Sequence, residues 1–362
     1  MRTRTLFAAF SAAALLIGTA ACGSSDSSDE VAAAAAGTAI SADRCAQNKA
    51  AGKITYLSGY QWQASASILE YAAAKKLGYF DAVCLDVAMQ PGTGDTSQNT
   101  KLLASGKVTV SPVSQQDVLS ANANGIKVTG VSSYSNVGLE VLMTKTDVTD
   151  LKQLDGTTLG QKGAMPVGVQ AMLVRAGADF GSVKQVTVGY DPSVLTRGQV
   201  TSLTGFISNE PNQLKAAGTP VTVWRPYDYK VPGSLGAMAV NPDFAAKNPT
   251  AVQDFLRAGL HAFEYCEEHG EECVKAAADL TGAGYDEKQN LAVWQTETKV
   301  VRDSLPTGAA LGAIDTKNVT ALAEMLNTYT KTSITPDQAT SEFDPSYVSA
   351  IYQGDKLIWP AP

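Results

Sequence analysis

The chain has 362 residues, a formal net charge of −7 and 44% hydrophobic residues, which is the composition of an ordinary globular α/β protein. The mild acidity and the lack of any basic tract argue against a nucleic-acid partner. No heptad run or short-period repeat is present, which excludes a coiled coil or a solenoid.

The N-terminus has the features of an export signal. Two arginines precede an apolar stretch from Leu6 to Ile17, and small residues in "GTAAC" lead to Cys22. This pattern predicts a signal peptide over residues 1–21. The Cys after small residues resembles the bacterial lipoprotein signal, although Thr19 stands where Leu is usual, and the resemblance implies lipidation of Cys22. Residues 22–50, rich in Ser, Ala and Asp at their start, are expected to form a flexible tether.

Short β-like runs then alternate with longer helical stretches, which predicts α/β doubly wound sheets. The predicted strands are "KITYL", "VCLDVAM", "KVTVS", "KVTGVSS", "LEVLMT", "TTLGQ", "QVTVG", "SLTGFI", "PVTVW" and "SLGAMAVN". The tail after "SLGAMAVN" is mostly helical and lacks matching strands, so we expect it to pack on an existing sheet. Domain 1 is therefore predicted over residues 51–140 and 241–362, and domain 2 over residues 141–240, with "LEVLMTK" and "LGAMAVN" as the two crossings. A hinged, two-lobed body of this kind needs no second subunit, so we expect a monomer.

Four cysteines remain after Cys22, and export makes disulfides plausible. Of the three possible pairings we favour Cys45–Cys84 and Cys266–Cys273. Residues seven apart on one helix lie about 10.5 Å apart along its axis, too far for a disulfide. Gly270 is therefore interpreted as a helix stop that lets the chain fold back.

Cys266 and Cys273 also share a short segment with His261 and His269, which raises the alternative of a metal site. The spacing fits no standard zinc pattern, so we predict neither a metal nor a cofactor.

Several segments resemble the substrate-binding proteins of bacterial ABC importers. "AAAKKLGYFDAVCLDVAMQPGTGD" and "DLKQLDGTTLGQKGA" resemble the family that binds nitrate, sulfonates, taurine and thiamine pyrimidine precursors. "GFISNEPNQLKAAGTPVTVWRPYDY" resembles the pyrimidine-precursor branch. The likeness runs from about residue 53 to 300 and implies a two-lobed, type II-like periplasmic-binding-protein fold, with a permease and an ATPase as partners. The branch's Trp-Pro-Asn-type stretch is replaced here by "SGYQWQASAS".

In such a fold the ligand lies between the lobes, at strand ends and helix starts. The candidate ligand-binding residues are Tyr60, Gln61, Trp62, Ser111, Gln115, Gly160, Gln161, Tyr190, Asn209, Glu210 and Tyr227. The alternative for the aromatic residues is core packing, for Asn209 helix capping, and for the glycine a plain turn. Lys162 is expected to be exposed.

Glu210 is the residue expected to discriminate between ligands. Because Pro211 favours an extended conformation in the preceding residue, we expect Glu210 to project from the strand-to-helix corner. A carboxylate there accepts hydrogen bonds from an aminopyrimidine and repels a sulfonate or nitrate. Arg197 and Arg225 are the nearby guanidinium groups that could instead hold an anion.

These observations predict a lipid-anchored binding protein on the outer face of the cell membrane that captures a small flat nitrogen heterocycle. Sulfonate, taurine, nitrate or a larger flat ligand such as a flavin remain alternatives. An enzyme related to the yeast pyrimidine synthases is disfavoured, because this chain has no cysteine cluster and only two histidines. No Gly-x-Ser-x-Gly elbow is present either.

Overall fold

The computed structural model describes residues 38–281 and 284–361, which form two lobes, each built on a five-stranded sheet. The predicted signal peptide and Cys22 lie outside the described residues. Within the described part of the chain, no helix is both long enough and apolar enough to span a membrane.

The first ten strands of the described chain match the predicted β-like runs in order and approximate position, whereas the last two form an antiparallel pair in the tail that was not predicted. The strands are β1 (Lys53–Leu57), β2 (Asp86–Gln90), β3 (Val110–Val113), β4 (Thr129–Ser132), β5 (Glu140–Thr144), β6 (Thr158–Gln161), β7 (Lys184–Thr187), β8 (Ser202–Phe206), β9 (Thr222–Trp224), β10 (Ala237–Val240), β11 (Tyr352–Gln353) and β12 (Lys356–Leu357).

The first lobe contains the sheet β2-β1-β3-β10-β4 and the second lobe the sheet β7-β6-β8-β5-β9. In the first sheet β1 runs parallel to β2 and β3, whereas β10 runs antiparallel to β3 and β4. In the second sheet β5 runs antiparallel to β8 and β9. Both sheets are therefore mixed rather than parallel. β5 and β10 each follow a crossing directly. They therefore enter their sheets at the edge where the parallel strands end, and they run in the opposite direction.

Helices cover both sheets, and most of them lie in the first lobe and the C-terminal tail. They are α1 (Ala42–Ala50), α2 (Leu69–Lys76), α3 (Tyr79–Ala82), α4 (Thr96–Ala104), α5 (Gln115–Ala123), α6 (Val167–Arg175), α7 (Ser193–Thr196), α8 (Glu210–Ala216), α9 (Pro242–Lys247), α10 (Pro249–Glu268), α11 (Gly270–Thr281), α12 (Glu287–Ser304), α13 (Thr316–Tyr329), α14 (Pro336–Ser341) and α15 (Ser346–Ser349), with 3₁₀ turns at Leu151–Leu154, Phe180–Ser182 and Pro226–Tyr229.

The core of the first lobe is organised around α10, which begins at Pro249 and lays an apolar face on the sheet and on α2. Phe255 stacks on Tyr71 with ring centroids 4.9 Å apart, and both side chains are buried. Burial of each such side chain contributes about 1.5–3 kcal/mol. Gly259 permits this approach, because a Cβ there would lie 2.4 Å from the Tyr71 ring.

The two crossings run side by side between the lobes. The Tyr134 N–H donates to the Leu235 carbonyl at 2.9 Å, and the Leu235 N–H donates to the Ser135 carbonyl at 3.0 Å. Gly233 approaches Gly138 so closely that a Cβ at Gly233 would lie 2.4 Å from the Gly138 nitrogen. Glycine is therefore required at this position.

Helix α1 lies inside the range that the sequence assigned to the tether. Arg44 pairs with the buried Asp254 at 2.7 Å, and Asn48 donates to the same carboxylate at 2.6 Å. The folded body consequently begins before residue 42 rather than at residue 51. At the other boundary, β10 belongs to the first sheet, so the first lobe resumes before residue 241.

Both predicted disulfides are confirmed. The long-range disulfide, Cys45–Cys84, has a Cα–Cα distance of 5.3 Å, and the short-range disulfide, Cys266–Cys273, one of 5.7 Å. Helix α10 ends with His269 as its C-cap, one residue before the predicted stop at Gly270, and α11 begins at Gly270.

Candidate functional site

The carboxyl ends of the parallel strands in both sheets face the space between the lobes. β1 and β3 end there in the first lobe, and β6, β7 and β8 end there in the second lobe. This inter-lobe cleft is the place where open α/β sheets bind ligands.

Four aromatic side chains are exposed at strand ends on this side of the molecule. Tyr60 follows β1 and is 38% exposed, Tyr190 follows β7 and is 73% exposed, Phe206 ends β8 and is 49% exposed, and Tyr227 follows β9 and is 54% exposed. They are all of the exposed large aromatic residues in the described part of the chain. Exposed rings at strand ends offer stacking surfaces for a flat ligand.

Phe206 was not predicted as a site residue, and Glu140 beside it was missed as well. The two residues lie directly opposite each other in the antiparallel pairing of β5 with β8. Side chains in such a pair share one face of the sheet, with Cβ atoms about 5 Å apart. A half-buried carboxylate therefore lies next to an exposed ring.

Glu140 has no hydrogen bond or ion pair to its side chain among the described residues. It faces the first turn of α6, where a Cβ added at Gly168 would lie 3.2 Å from Glu140 Oε2. Burial, together with the negative charge of Asp117 across the cleft, raises the pKa of Glu140 to about 7. Asp117 itself caps α5 by accepting from Ser114. Two acids from opposite lobes thus repel each other, and neither makes an ion pair with a described residue.

Glu210 does not project into the cleft as expected from the Pro that follows it. It is the first residue of α8, is 1% exposed, and pairs with Lys162, whose side chain is only 15% exposed. Glu210 Oε2 also accepts from the Phe206 N–H at 2.8 Å. Burial lowers the pKa of Lys162 to about 8. The paired Glu210 carboxylate therefore fixes the backbone of Phe206 through the hydrogen bond from its N–H.

Asn209 does not cap α8, since its side chain makes no hydrogen bond to the helix backbone. Its amide donates to Glu210 at 3.1 Å and its carbonyl accepts from Gln213 at 2.8 Å. The Asn209 side chain thus orients the Glu210 carboxylate and does not cap the helix, contrary to the capping alternative. On the other side, Lys162 lies 5.5 Å from the centroid of the Tyr190 ring.

Three predicted site residues belong to the interior instead. Trp62 is 7% exposed and packs beside Tyr56, as the core-packing alternative proposed. Ser111 is fully buried and donates to the Leu57 carbonyl at 2.7 Å. A Cβ at Gly160 would lie within 3.1–3.3 Å of three apolar side chains, so this glycine serves packing of the second sheet.

The three glutamines differ in what they leave free. Gln61 donates to the Gly92 carbonyl at 3.1 Å and fixes one loop of the cleft wall. Gln115 is buried and accepts from Asn318 at 2.9 Å, while its Nε2 makes no hydrogen bond with any described residue. Gln161 is 8% exposed, and its Oε1 is likewise without a partner in the described chain. Gln115 and Gln161 thus each keep one buried polar group without a hydrogen-bond partner in the described chain.

The comparisons with known proteins agree with this architecture. The family model described as NMT1/THI5 like matches residues 65–273, which is more than half of the chain. The chain belongs to the NMT1/THI5-like family. A search of curated protein sequences finds no match.

Solved structures show the fold that this NMT1/THI5-like protein adopts. A putative sulfonate-binding SsuA from Methylobacillus flagellatus has a TM-score of 0.60 at 16% identity, covering 82% of this chain and 93% of that chain. The aliphatic sulphonate binding protein SsuA from Escherichia coli has a TM-score of 0.59 at 12% identity, covering 84% and 94%. The desulfurization enzyme DSZB has a TM-score of 0.56 at 13% identity, covering 82% and 98%. The shared architecture is the periplasmic-binding-protein fold, which hosts both binding proteins and an enzyme.

The NMT1/THI5-like chain also has a cationic groove beside the cleft. A cavity of about 480 Å³ between α8 and α12 is lined by Lys215, Arg225, Tyr227, Lys299 and Asp303, among others, and Lys299 pairs with Asp303 at 2.8 Å. Arg225 lies over the Tyr227 ring at 6.0 Å. Arg197 does not line this groove and pairs with Asp191 at 3.1 Å instead. Hydrogen bonds from Ser193, helped by Arg197, lower the pKa of Asp191 to about 2.

Proposed function

We propose that this protein is an exported solute-binding lipoprotein of an ABC importer, and that it captures a small flat nitrogen heterocycle between its lobes. The observation that carries the ligand class is the pair formed by Glu140 and Phe206 on one face of β5 and β8. The two-lobed fold and the family membership support the transport role. Lipidation of Cys22, an outer-face location and delivery to a permease are parts of the same proposal.

The chemistry of the pair selects the ligand. The Phe206 ring offers a flat apolar surface, on which a heterocycle can stack. The Glu140 carboxylate accepts hydrogen bonds and donates none when ionised, so it favours exocyclic amino groups and ring N–H groups. An aminopyrimidine of the kind found in thiamine precursors offers an exocyclic amino group, and it offers a ring N–H as well when its ring is protonated.

The charges near the cleft point the same way. Glu140 and Asp117 have no cationic partner among the described residues, whereas Glu210 and Lys162 neutralise each other. A sulfonate or nitrate beside Glu140 would place an anion among anions, which costs free energy. Binding and hinge closure require no bond-making chemistry, so we propose a binding protein and not an enzyme.

A thermal-shift and calorimetric screen of the tether-free protein tests the proposal. The panel contains aminopyrimidines, thiamine, riboflavin, taurine, alkylsulfonates and nitrate. A ligand at a hundredfold excess over its dissociation constant stabilises the folded state by about 2.7 kcal/mol. We expect a shift with an aminopyrimidine, weakened about tenfold to a hundredfold in Glu140→Gln because a charge-assisted hydrogen bond is lost. Phe206→Ala should weaken it about tenfold through lost stacking.

The matched control is Glu287→Gln, which changes an exposed carboxylate at the start of α12. It should bind like the unmodified protein. A heterocycle that binds equally well to all variants would contradict the site assignment, and a panel in which no heterocycle binds would contradict the ligand class.

The second candidate is an anion binder of the sulfonate type, and the cationic groove is the observation that favours it. Arg225 makes no ion pair among the described residues and shares the groove with Lys215, whereas Lys299 in the same groove is paired with Asp303. The two SsuA structures named above are sulfonate-binding proteins by their names. In that case a sulfonate shift should survive Glu140→Gln and disappear in Arg225→Gln, and the first candidate would fall.

A further inference from the structure

Helix α12 lies against both lobes, and one carboxylate on it connects them. Glu297 Oε2 accepts from Ser65 Oγ at 2.7 Å and from the Ala66 N–H at 2.7 Å, both in the first lobe. Glu297 Oε1 accepts from Ser208 Oγ at 2.6 Å, in the second lobe. Glu297 and Ser208 are each only 2% exposed.

The three donors lie where a ligand-binding clamshell must move. Ser65 and Ala66 belong to the segment between β1 and α2, and Ser208 lies between β8 and α8. A shift of one lobe against the other can therefore separate Ser208 from Ser65 only if Glu297 releases one of them. Asn212, on α8, reinforces the same contact by donating to Thr296 Oγ1 at 3.1 Å.

We propose that Glu297 is a latch that holds the lobes together before any ligand binds, and that opening of the cleft requires release of Ser208. The latch rests on the hinge closure of the proposed function but not on the identity of the ligand. Its two oxygens are shared between lobes, so closure satisfies the Ser208 hydroxyl, which opening must return to water, while Ser65 and Ala66 stay bound to Glu297.

The first-lobe donors belong to the turn that leads into α2, which begins at Leu69. A backbone N–H group in such a turn needs an acceptor. Here the Ala66 N–H and the Ser65 hydroxyl already bind the protein's own carboxylate. The same carboxylate also accepts from Ser208 of the second lobe, so its hydrogen bonds are complete only when the lobes are closed.

The latch can be tested without any ligand by small-angle X-ray scattering of the tether-free protein. A compact body of this size has a radius of gyration of about 20 Å. Ser208→Ala removes only the contact to the second lobe and leaves Glu297 bound to the first. We expect Ser208→Ala and Glu297→Ala each to increase the radius of gyration at unchanged far-UV circular dichroism. Glu287→Ala, on the same helix and exposed, should leave it unchanged.

Ser65→Ala distinguishes a latch between the lobes from a contact in which Glu297 serves only the segment between β1 and α2. The Ala66 N–H still holds Glu297 in that variant, so the cross-lobe contact persists and the radius should stay near that of the unmodified protein. Unchanged scattering for both Ser208→Ala and Glu297→Ala would overturn the latch, whichever ligand binds. If Glu297→Ala does not fold, Ser208→Ala alone decides the outcome. Failure of every panel compound to bind would overturn the proposed function and leave the scattering result standing.

Discussion

Glu70 is predicted to make the protein less stable as the pH rises through neutrality. Its carboxyl group is fully buried and accepts from Tyr134 Oη at 2.6 Å and from the Ser67 N–H at 2.7 Å. Burial raises the pKa of Glu70 to about 8, and these hydrogen bonds only partly oppose that rise. The native protein therefore holds a proton on Glu70 at neutral pH, whereas the unfolded chain releases it.

The size of the effect follows from linkage. The unfolded carboxyl has a pKa of 4.5 and the native one a pKa of about 8, so the native state binds more protons between these values. The free energy of unfolding then falls with rising pH in that window, by about 1.4 kcal/mol per pH unit for one proton. Between pH 4.5 and pH 7 the accumulated loss is about 3 kcal/mol. Glu70→Gln removes the titration and keeps an uncharged side chain of the same shape.

Urea unfolding at several pH values from about 5 to about 8, with the disulfides intact, measures the effect. The difference in free energy of unfolding between Glu70→Gln and the unmodified protein should grow in favour of the variant as the pH rises. Burial also raises the pKa values of Glu140, Glu297 and Glu342 to about 7. Both proteins carry these groups, so their contributions cancel in the difference. Parallel curves for the two proteins would refute the argument, and Glu287→Gln should run parallel to the unmodified protein.

Three further predictions concern stability. Glu210→Gln should lower the free energy of unfolding by about 3 kcal/mol in urea, because it leaves the largely buried Lys162 unpaired; an unchanged midpoint would contradict the pairing. Gly233→Ala should cost about 2 kcal/mol by overpacking against Gly138, whereas Gly189→Ala, which has open space around it, should be nearly neutral. Serine replacement of the long-range disulfide should cost about 4 kcal/mol and of the short-range disulfide about 2.5 kcal/mol, since the closed loops differ in length. The reverse order in thermal melts would contradict this loop-entropy argument.

Much of the fold follows from local patterns in the sequence. Short β-like runs predicted the ten main strands, and the long helical stretches after the tenth strand predicted the helical tail. Strand direction was not accessible in this way, because β5 and β10 have the same composition whether they run parallel or antiparallel. The path of the chain between lobes decides their direction, and that is a property of the whole body.

The candidate site was harder to predict for a related reason. Phe206 ends an apolar strand and looks like a core residue, and Glu140 begins a strand interpreted only as a crossing. Their pairing depends on register between β5 and β8, which lie more than sixty residues apart in the chain. Conversely, Glu210 stands at a conspicuous corner, but its role depends on Lys162, which comes from a loop far away in sequence.

Three carboxylates near the cleft show why local partners, and not net charge, decide what the protein can bind. Glu210 is neutralised by Lys162, and Glu297 is occupied by two hydroxyls and a backbone N–H. Glu140 alone among these three has no donor to its side chain in the described chain. A ligand with N–H groups can donate hydrogen bonds to the Glu140 carboxylate, whereas a sulfonate brings only further acceptors. Glu140 thus favours binding of a heterocycle that carries N–H groups and disfavours binding of an anion. For this reason Glu140→Gln should distinguish the two ligand classes.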